Sequence, residues 1–316
     1  MEKYIKKVTE YFGCNHEQII PLSSGFQNDV FLYRGVNKEW ILRLSRRRSK
    51  EELNSELKFL DELKDFGVTV AGPIHNNVIE FENHLFMCAF EVAKGERVDV
   101  TDSRKWNKRM FYNWGKIMGK MHSLSKQFPK MSRKSWSEHS RQLYRMDEPP
   151  VEDFVNRQFF TLQNEVNRYY KNDSVYGLIH NDFHQGNFYV KNNVITLFDF
   201  DDCAYNWFAQ DIAASIFHAY WQSQSFLQTE EPFSTYFIDP FFDGYRSEHF
   251  LSNTILHQTP IFLQLRDIFL YSLFKKVWAN NVMEDWQSYT ILEIESRIKS
   301  GAIIGDMNQE FWSKFS

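Results

Sequence analysis

Apolar residues recur along this chain with two periods, and the switch between them divides it. In the opening MEKYIKKVTEYFG, Tyr4, Ile5, Val8 and Phe12 fall three and four apart, which predicts a short amphipathic helix. The runs DVFLYR and EWILRL, rich in β-branched and aromatic residues, flank GVNK and predict a β-hairpin. SKEELNSELKFLDELKDFG returns to the helical period, with Leu53, Leu57, Leu60 and Leu63 as its stripe and Gly67 just past its end. IHNNVIEF and HLFMCAFEV predict two further strands. After the connector AKGER the period becomes helical. NKRMFYNWGKIMGKMHSLSK sets Met110, Trp114, Ile117, Met121 and Leu124 on one face, and VEDFVNRQFFTLQNEVNRYYKN predicts a second helix. Two short strands, NFYV and VITLFDF, are joined by KNN. From about Gln210 the chain reads as helical and aromatic, with IFLQLRDIFLYSLFKKVW as its clearest buried helix. A β-rich front and an α-rich back predict an α+β fold with two lobes.

Composition narrows the functional classes. The chain has 316 residues, enough to bury roughly three-quarters of its unfolded surface without a disulfide or metal staple. With 43% hydrophobic and 25% charged residues it is not a disordered protein. Lys and Arg number 37 against 41 Asp and Glu, so the basic surplus needed to grip nucleic acid is missing. Cys14, Cys88 and Cys203 lie far apart, without CxxC or zinc spacing, and predict packing residues in a reduced, cytoplasmic setting. The first residues lack the apolar core of a signal peptide, and no run approaches the ~18 apolar residues of a membrane span.

The chemistry is concentrated in GLIHNDFHQGNFYVKNNVITLFDFDD. His180-Asn181-Asp182 is followed after four residues by Asn187, and twelve residues later Asp199 closes an apolar strand. Phosphoryl transfer from a nucleotide asks mainly for positioning and charge neutralisation. One carboxylate must face the attacking hydroxyl and accept its proton, which suits Asp182. An amide oxygen and a second carboxylate must hold Mg²⁺, which suits Asn187 and Asp199. His180 fits a hydrogen-bonded buttress of the loop, and His184 a space-filling residue.

This segment resembles the catalytic loop and metal motif of the aminoglycoside phosphotransferase and choline kinase-like family, small-molecule kinases with the protein-kinase fold. The order of the other features is similar along essentially the whole chain, most strongly over residues 177–217. The resemblance implies a bilobal α+β fold: a β-rich N-lobe over 1–93, a hinge about 90–95, and a larger helical C-lobe over 94–316. It implies ATP or GTP as co-substrate and Mg²⁺ as cofactor. Asp182 would be the catalytic base, Asn187 and Asp199 the metal ligands, and Asp211, in Gln210-Asp211-Ile212-Ala213, a structural brace with His180. Ser24 and Gly25, in Leu22-Ser23-Ser24-Gly25-Phe26-Gln27-Asn28, would lie in a phosphate-covering loop. Arg43 takes the position of the strand lysine, with Glu56 as its partner, and the backbone at Glu91 and Val92 would meet the purine.

The remaining features are expected to be structural. The Arg46–Lys50 run reads as a solvated surface. The rings Phe233, Tyr236, Phe241, Phe242 and Tyr245 read as core. The chain lacks the A-P-E segment of protein kinases. The expected activity is transfer of a γ-phosphoryl group to a hydroxyl of a soluble metabolite or antibiotic. Asp239 and Asp243 hint at a cationic acceptor; nucleic acid and membrane are not expected partners. The alternative is a catalytically silent nucleotide-binding or scaffold protein, which need not have kept Asp182, Asn187 and Asp199 together.

Overall fold

The chain folds as two units, described here from a computed structural model over residues 2–22, 28–75, 77–82, 84–147, 151–227, 230–278 and 282–315. The first unit comprises residues 1–96, 128–133 and 188–201; the second comprises 97–127, 134–187 and 202–316. The architecture is the expected α+β, protein-kinase-like one, with a sheet in the first unit and helices dominating the second.

In the first unit α1 (Glu2–Phe12) precedes the strands β1 (Ile19–Pro21), β2 (Asp29–Arg34) and β3 (Glu39–Ser45). Then come α2 (Lys50–Asp65), β4 (Ile79–Glu82) and β5 (Leu85–Glu91). The sheet order is β1-β2-β3-β5-β4, with antiparallel neighbours. The hairpin expected around GVNK pairs Arg34 with Glu39. Ile5 and Val8 of α1 pack on Phe31, Leu42, Leu44 and Met87 of the sheet, all buried. Ser49 starts α2 with a reciprocal cap: its hydroxyl accepts the Glu52 N–H, and the Glu52 carboxylate accepts the Ser49 N–H. Beyond the helix, Gly67 takes a left-handed backbone (φ +76°). One strand is shorter than its apolar run implied. β4 begins at Ile79, because Ile74 and His75 bend after Pro73 forms an isolated bridge to Phe90.

A two-residue strand β6 (Glu96–Arg97) leads to α3 (Lys108–Ser125), α4 (Trp136–Leu143), α5 (Asp153–Val166) and β7 (Tyr176–Ile179). The chain then returns to the first unit as the hairpin β8 (Phe188–Lys191) and β9 (Val194–Leu197). Its two-residue turn, Asn192-Asn193, is left-handed at both positions, the backbone a tight type I′ hairpin requires and Asn tolerates. β10 (Ala204–Trp207) pairs antiparallel with β7, Ala204 opposite Ile179 and Trp207 opposite Tyr176. Then come α6 (Phe208–Phe226), α7 (Asp239–Arg246), α8 (Asn253–Trp278), α9 (Asp285–Ser300) and α10 (Gln309–Ser313).

The last large helix starts earlier than its apolar run. α8 continues through Pro260, whose missing N–H leaves the Leu256 carbonyl without its usual helical donor. Of the ring cluster expected to be core, Phe241, Phe242 and Tyr245 are fully buried, whereas Phe233 and Tyr236 are half-buried. Asp239 and Asp243 lie on the exposed side of α7. Among the described residues no helix is long and apolar enough to cross a membrane.

α3 and α7 cross backbone to backbone. A Cβ on Gly115 would overlap the Phe241 carbonyl oxygen, and one on Gly244 would overlap the Tyr112 carbonyl oxygen. Gly115→Ala is therefore expected to destabilise the protein by about 2 kcal/mol through forced separation of the helices, seen as a lower urea midpoint.

Candidate active site

The β7–β10 ribbon sets the catalytic loop. β7 delivers His180 directly after Ile179, while β10 runs into α6 and brings Asp211 into its first turn. Asp211 is wholly buried. Its Oδ2 accepts the His180 N–H at 3.0 Å and its Oδ1 the Asn181 N–H at 2.6 Å. Asn181 has a left-handed backbone (φ +70°), its side-chain oxygen accepts from Asn206 Nδ2, and its carbonyl accepts from Gln210 Nε2. On the far side Ser215 donates to the Phe183 carbonyl at 2.7 Å. The main chain on both flanks of Asp182 is thus tied to α6. Behind Asp211, the buried His122 ring lies 3.4 Å from its carboxylate and 2.8 Å from the Tyr245 hydroxyl. Burial keeps that imidazole neutral, pushing its pKa down to about 3.

The Asp182 carboxylate is about a fifth exposed, at 22%. Arg266 Nη2 of α8 donates to its Oδ1 at 2.5 Å. Asn187 Nδ2 donates to the Asp182 carbonyl at 2.9 Å and to its Oδ2 at 3.1 Å. His184 Nε2 stands 3.5 Å from the same oxygen. Burial opposes the charge on Asp182, but Arg266, aided by His184, outweighs it and holds the carboxyl well below the ordinary range. With its amide nitrogen committed to Asp182, Asn187 has its oxygen left as a ligand atom.

The remaining anticipated residues belong to the sheet unit. Arg43 of β3 and Glu56 of α2 form a two-pronged pair, at 2.8 and 2.6 Å, both almost fully buried. Among the described residues Arg43 Nε is buried without a hydrogen-bond partner. Asp201 lies 3.4 Å from Arg48 Nε and 3.9 Å from Arg43 Nη2, and Arg133 donates to its carbonyl. Burial again opposes ionisation; Arg48, Arg43 and Arg133 overcome it and keep the Asp201 carboxyl low. Arg48 thereby corrects the expectation of a solvated basic run, since it is buried between Asp201 and Glu52. Asp199, just past β9, carries a left-handed backbone (φ +62°), uncommon for a residue with a side chain and frequent where function imposes strain. Glu91 ends β5, its N–H donating to the Gly72 carbonyl and its carboxylate paired with Lys64; Val92 follows directly. Ser24 and Gly25 lie outside the described residues.

Residues 18–250 match the phosphotransferase enzyme family. The chain belongs to that family. Along 317 residues this phosphotransferase is 29% identical to an amicoumacin kinase of Bacillus subtilis (strain 168), covering 96% of this chain and 93% of that protein. Among solved structures it resembles the amicoumacin kinase hAmiN in complex with AMP-PNP, Ca²⁺ and Ami, with a TM-score of 0.87 and 24% identity over the whole of both chains. It also resembles a microcompartment-associated aminopropanol kinase, with a TM-score of 0.71 and 19% identity over 97% of this chain and 99% of that one. The phosphotransferase is a small-molecule kinase: it uses a nucleotide co-substrate and a hydroxyl acceptor.

Two neighbours of Asp182 in this phosphotransferase escape motif reading. Arg266 is a lone cation inside the apolar IFLQLRDIFLYSLF, and a buried helix carrying a charge must supply it with a partner. His218 sits likewise within ASIFHAYW. His184, read as filler, faces the Asp182 carboxylate.

Truncating Glu56 to Ala would leave the buried Arg43 with only Asp201, 3.9 Å away, in place of its two-pronged partner, and is expected to cost about 3 kcal/mol in denaturant unfolding. Acid should also weaken the fold through His122. The unfolded chain binds a proton below pH 6.5 that the folded chain refuses down to about 3, so stability falls as pH drops across that window, by about 1.4 kcal/mol per unit for this group. His122→Gln should flatten the slope of unfolding free energy between pH 6 and 5 by one proton.

Proposed function

We propose that this phosphotransferase transfers the γ-phosphoryl group of ATP, as its Mg²⁺ complex, to a hydroxyl of an amicoumacin-like antibiotic. The observation that carries the site assignment is Asp182: an ionised, partly exposed carboxylate on a loop whose backbone is tied down on both sides. Asp182 orients the acceptor hydroxyl and receives its proton as the new O–P bond forms and the bond to the leaving nucleoside diphosphate breaks. The low pKa of Asp182 suits a reaction in which the proton moves late and orientation matters most. Asn187 and Asp199 are the metal ligands, an assignment supported by their hard oxygen donors and by the commitment of the Asn187 amide nitrogen to Asp182, which turns its oxygen to the ligand role. Bound there, the ion neutralises charge on the phosphates.

Arg43, fixed by Glu56, serves the non-transferred phosphates, Ser24 and Gly25 cover them, and the backbone at Glu91 and Val92 meets the purine. His180 and Asp211 brace the loop. The nucleotide-covering lobe is residues 1–93 and the acceptor lobe 94–316. The choice of acceptor is supported by likeness to amicoumacin kinase along nearly the whole chain. A cytoplasmic setting is supported by the wide sequence spacing of Cys14, Cys88 and Cys203. A silent scaffold role is disfavoured by the membership of a phosphotransferase family and by the ionised Asp182.

Mass spectrometry of amicoumacin incubated with the protein, ATP and Mg²⁺ should show addition of one phosphate. Asp182→Asn should lower kcat by at least ~10²-fold while ATP affinity stays within a factor of about three; a fully active variant would remove Asp182 from the role.

A further inference from the structure

Three side chains close a ring of contacts with the catalytic carboxylate, and two of them lie outside the motif. Arg266 Nη2 carries two hydrogens. One points to Asp182 Oδ1 at 2.5 Å and the other to His218 Nε2 at 2.7 Å. Since a guanidinium only donates, His218 Nε2 must present a lone pair, so its proton sits on Nδ1. The His218 ring stacks on His184, with centroids 4.2 Å apart and planes 15° from parallel. The Nδ1 of His184 accepts the Gly186 N–H at 3.0 Å, which leaves Nε2, the atom 3.5 Å from Asp182 Oδ2, as the ring nitrogen able to donate. The ring therefore runs from Asp182 through Arg266 and His218 to His184 and back.

Lone pairs can be counted on this arrangement. A carboxylate offers about four acceptor positions. Arg266 occupies one on Oδ1. Asn187 occupies one on Oδ2, and His184 faces the same oxygen. The second lone pair of Oδ1 is the one left for an incoming hydroxyl. A turn of the carboxylate about its terminal bond would break the Arg266 and Asn187 bonds together, so its torsion is fixed. Arg266 is itself held in place, its guanidinium 4.8 Å over the Phe269 ring and only 2% exposed.

We propose that Arg266 and His218 are positioning residues for phosphoryl transfer: His218 orients the Arg266 Nη2 group, and Arg266 sets the torsion of Asp182 so that one oxygen meets the acceptor hydroxyl. A buried ion pair with a purely structural task has no need of an accessible carboxylate, whereas Asp182 is accessible. The inference rests on the reading of Asp182 as the residue that receives the acceptor proton.

The test compares His218→Phe, His218→Gln and Arg266→Lys with Asp182→Asn. The reaction is followed from ATP·Mg²⁺ to amicoumacin and, without acceptor, to water. ATP affinity and the folded fraction are measured for each. His218→Phe keeps a ring against His184 but removes the acceptor for Nη2. It should lower kcat per folded molecule by ~10–100-fold, the scale of a misplaced reacting group, with ATP affinity within twofold. His218→Gln, whose side-chain oxygen can accept from Nη2, should recover most of the loss, and Arg266→Lys should fall between. If His218→Phe does not fold, Arg266→Lys decides on the same figures. Wild-type kcat in the folded variants, or equal losses in the Phe and Gln variants, overturns the positioning role. If Asp182→Asn is itself fully active, the reading of Asp182 fails instead; an inactive Asp182→Asn beside an unimpaired His218→Phe condemns the positioning role alone.

Discussion

Two backbone N–H groups, those of His180 and Asn181, end on the carboxylate of Asp211, and the helical unit's chemistry is arranged around that fact. A buried carboxylate must be given donors, and a loop without regular structure must be given acceptors. Asp211 meets both needs at once from the first turn of α6. The left-handed backbone at Asn181 follows, because the two N–H groups can converge on one carboxylate only if the chain turns sharply between them. Once it has turned, Asp182 follows with its carboxylate about a fifth exposed, and Ser215 holds the next carbonyl. Loop, helix and ribbon are one construction whose output is the direction of a single side chain.

The sheet unit solves a different problem, that of three arginines with little access to water. Arg43, Arg48 and Arg133 share Glu56 and Asp201, and each carboxylate serves more than one cation. Such a network contributes little net stability compared with an apolar core of equal volume, but removing one member leaves a stranded charge. Its use is geometric. It joins β3, α2 and the segment after β9, so Asp199 lies two residues from a carboxylate that cannot drift.

Much of this is legible in the sequence. The Leu53–Leu63 stripe, the hairpin around GVNK and the KNN turn follow from local period and turn chemistry, and each has its element. His180, Asp182 and Asn187 could be read because they share one loop, where spacing in sequence is nearly spacing in space. Arg266 and His218 could not, for they reach Asp182 from 84 and 36 residues away in the chain, and nothing local records which buried cation answers which carboxylate. Arg48 was misread for a related reason. A run of cations looks solvated until a distant acid, here Asp201, is folded against one of them. The early start of α8 was hidden by Pro260, which locally argues for a break, whereas packing along the helix tolerates the missing N–H.

The glycine contacts between α3 and α7 have a mechanical side. Where main chains touch with no side chains between them, there is no rotamer to swap and no gap to take up, so the pair behaves as one stiff plate. The outer face of α9 is the opposite case, since its Trp286, Tyr289 and Leu292 stand in solvent with room to change rotamer.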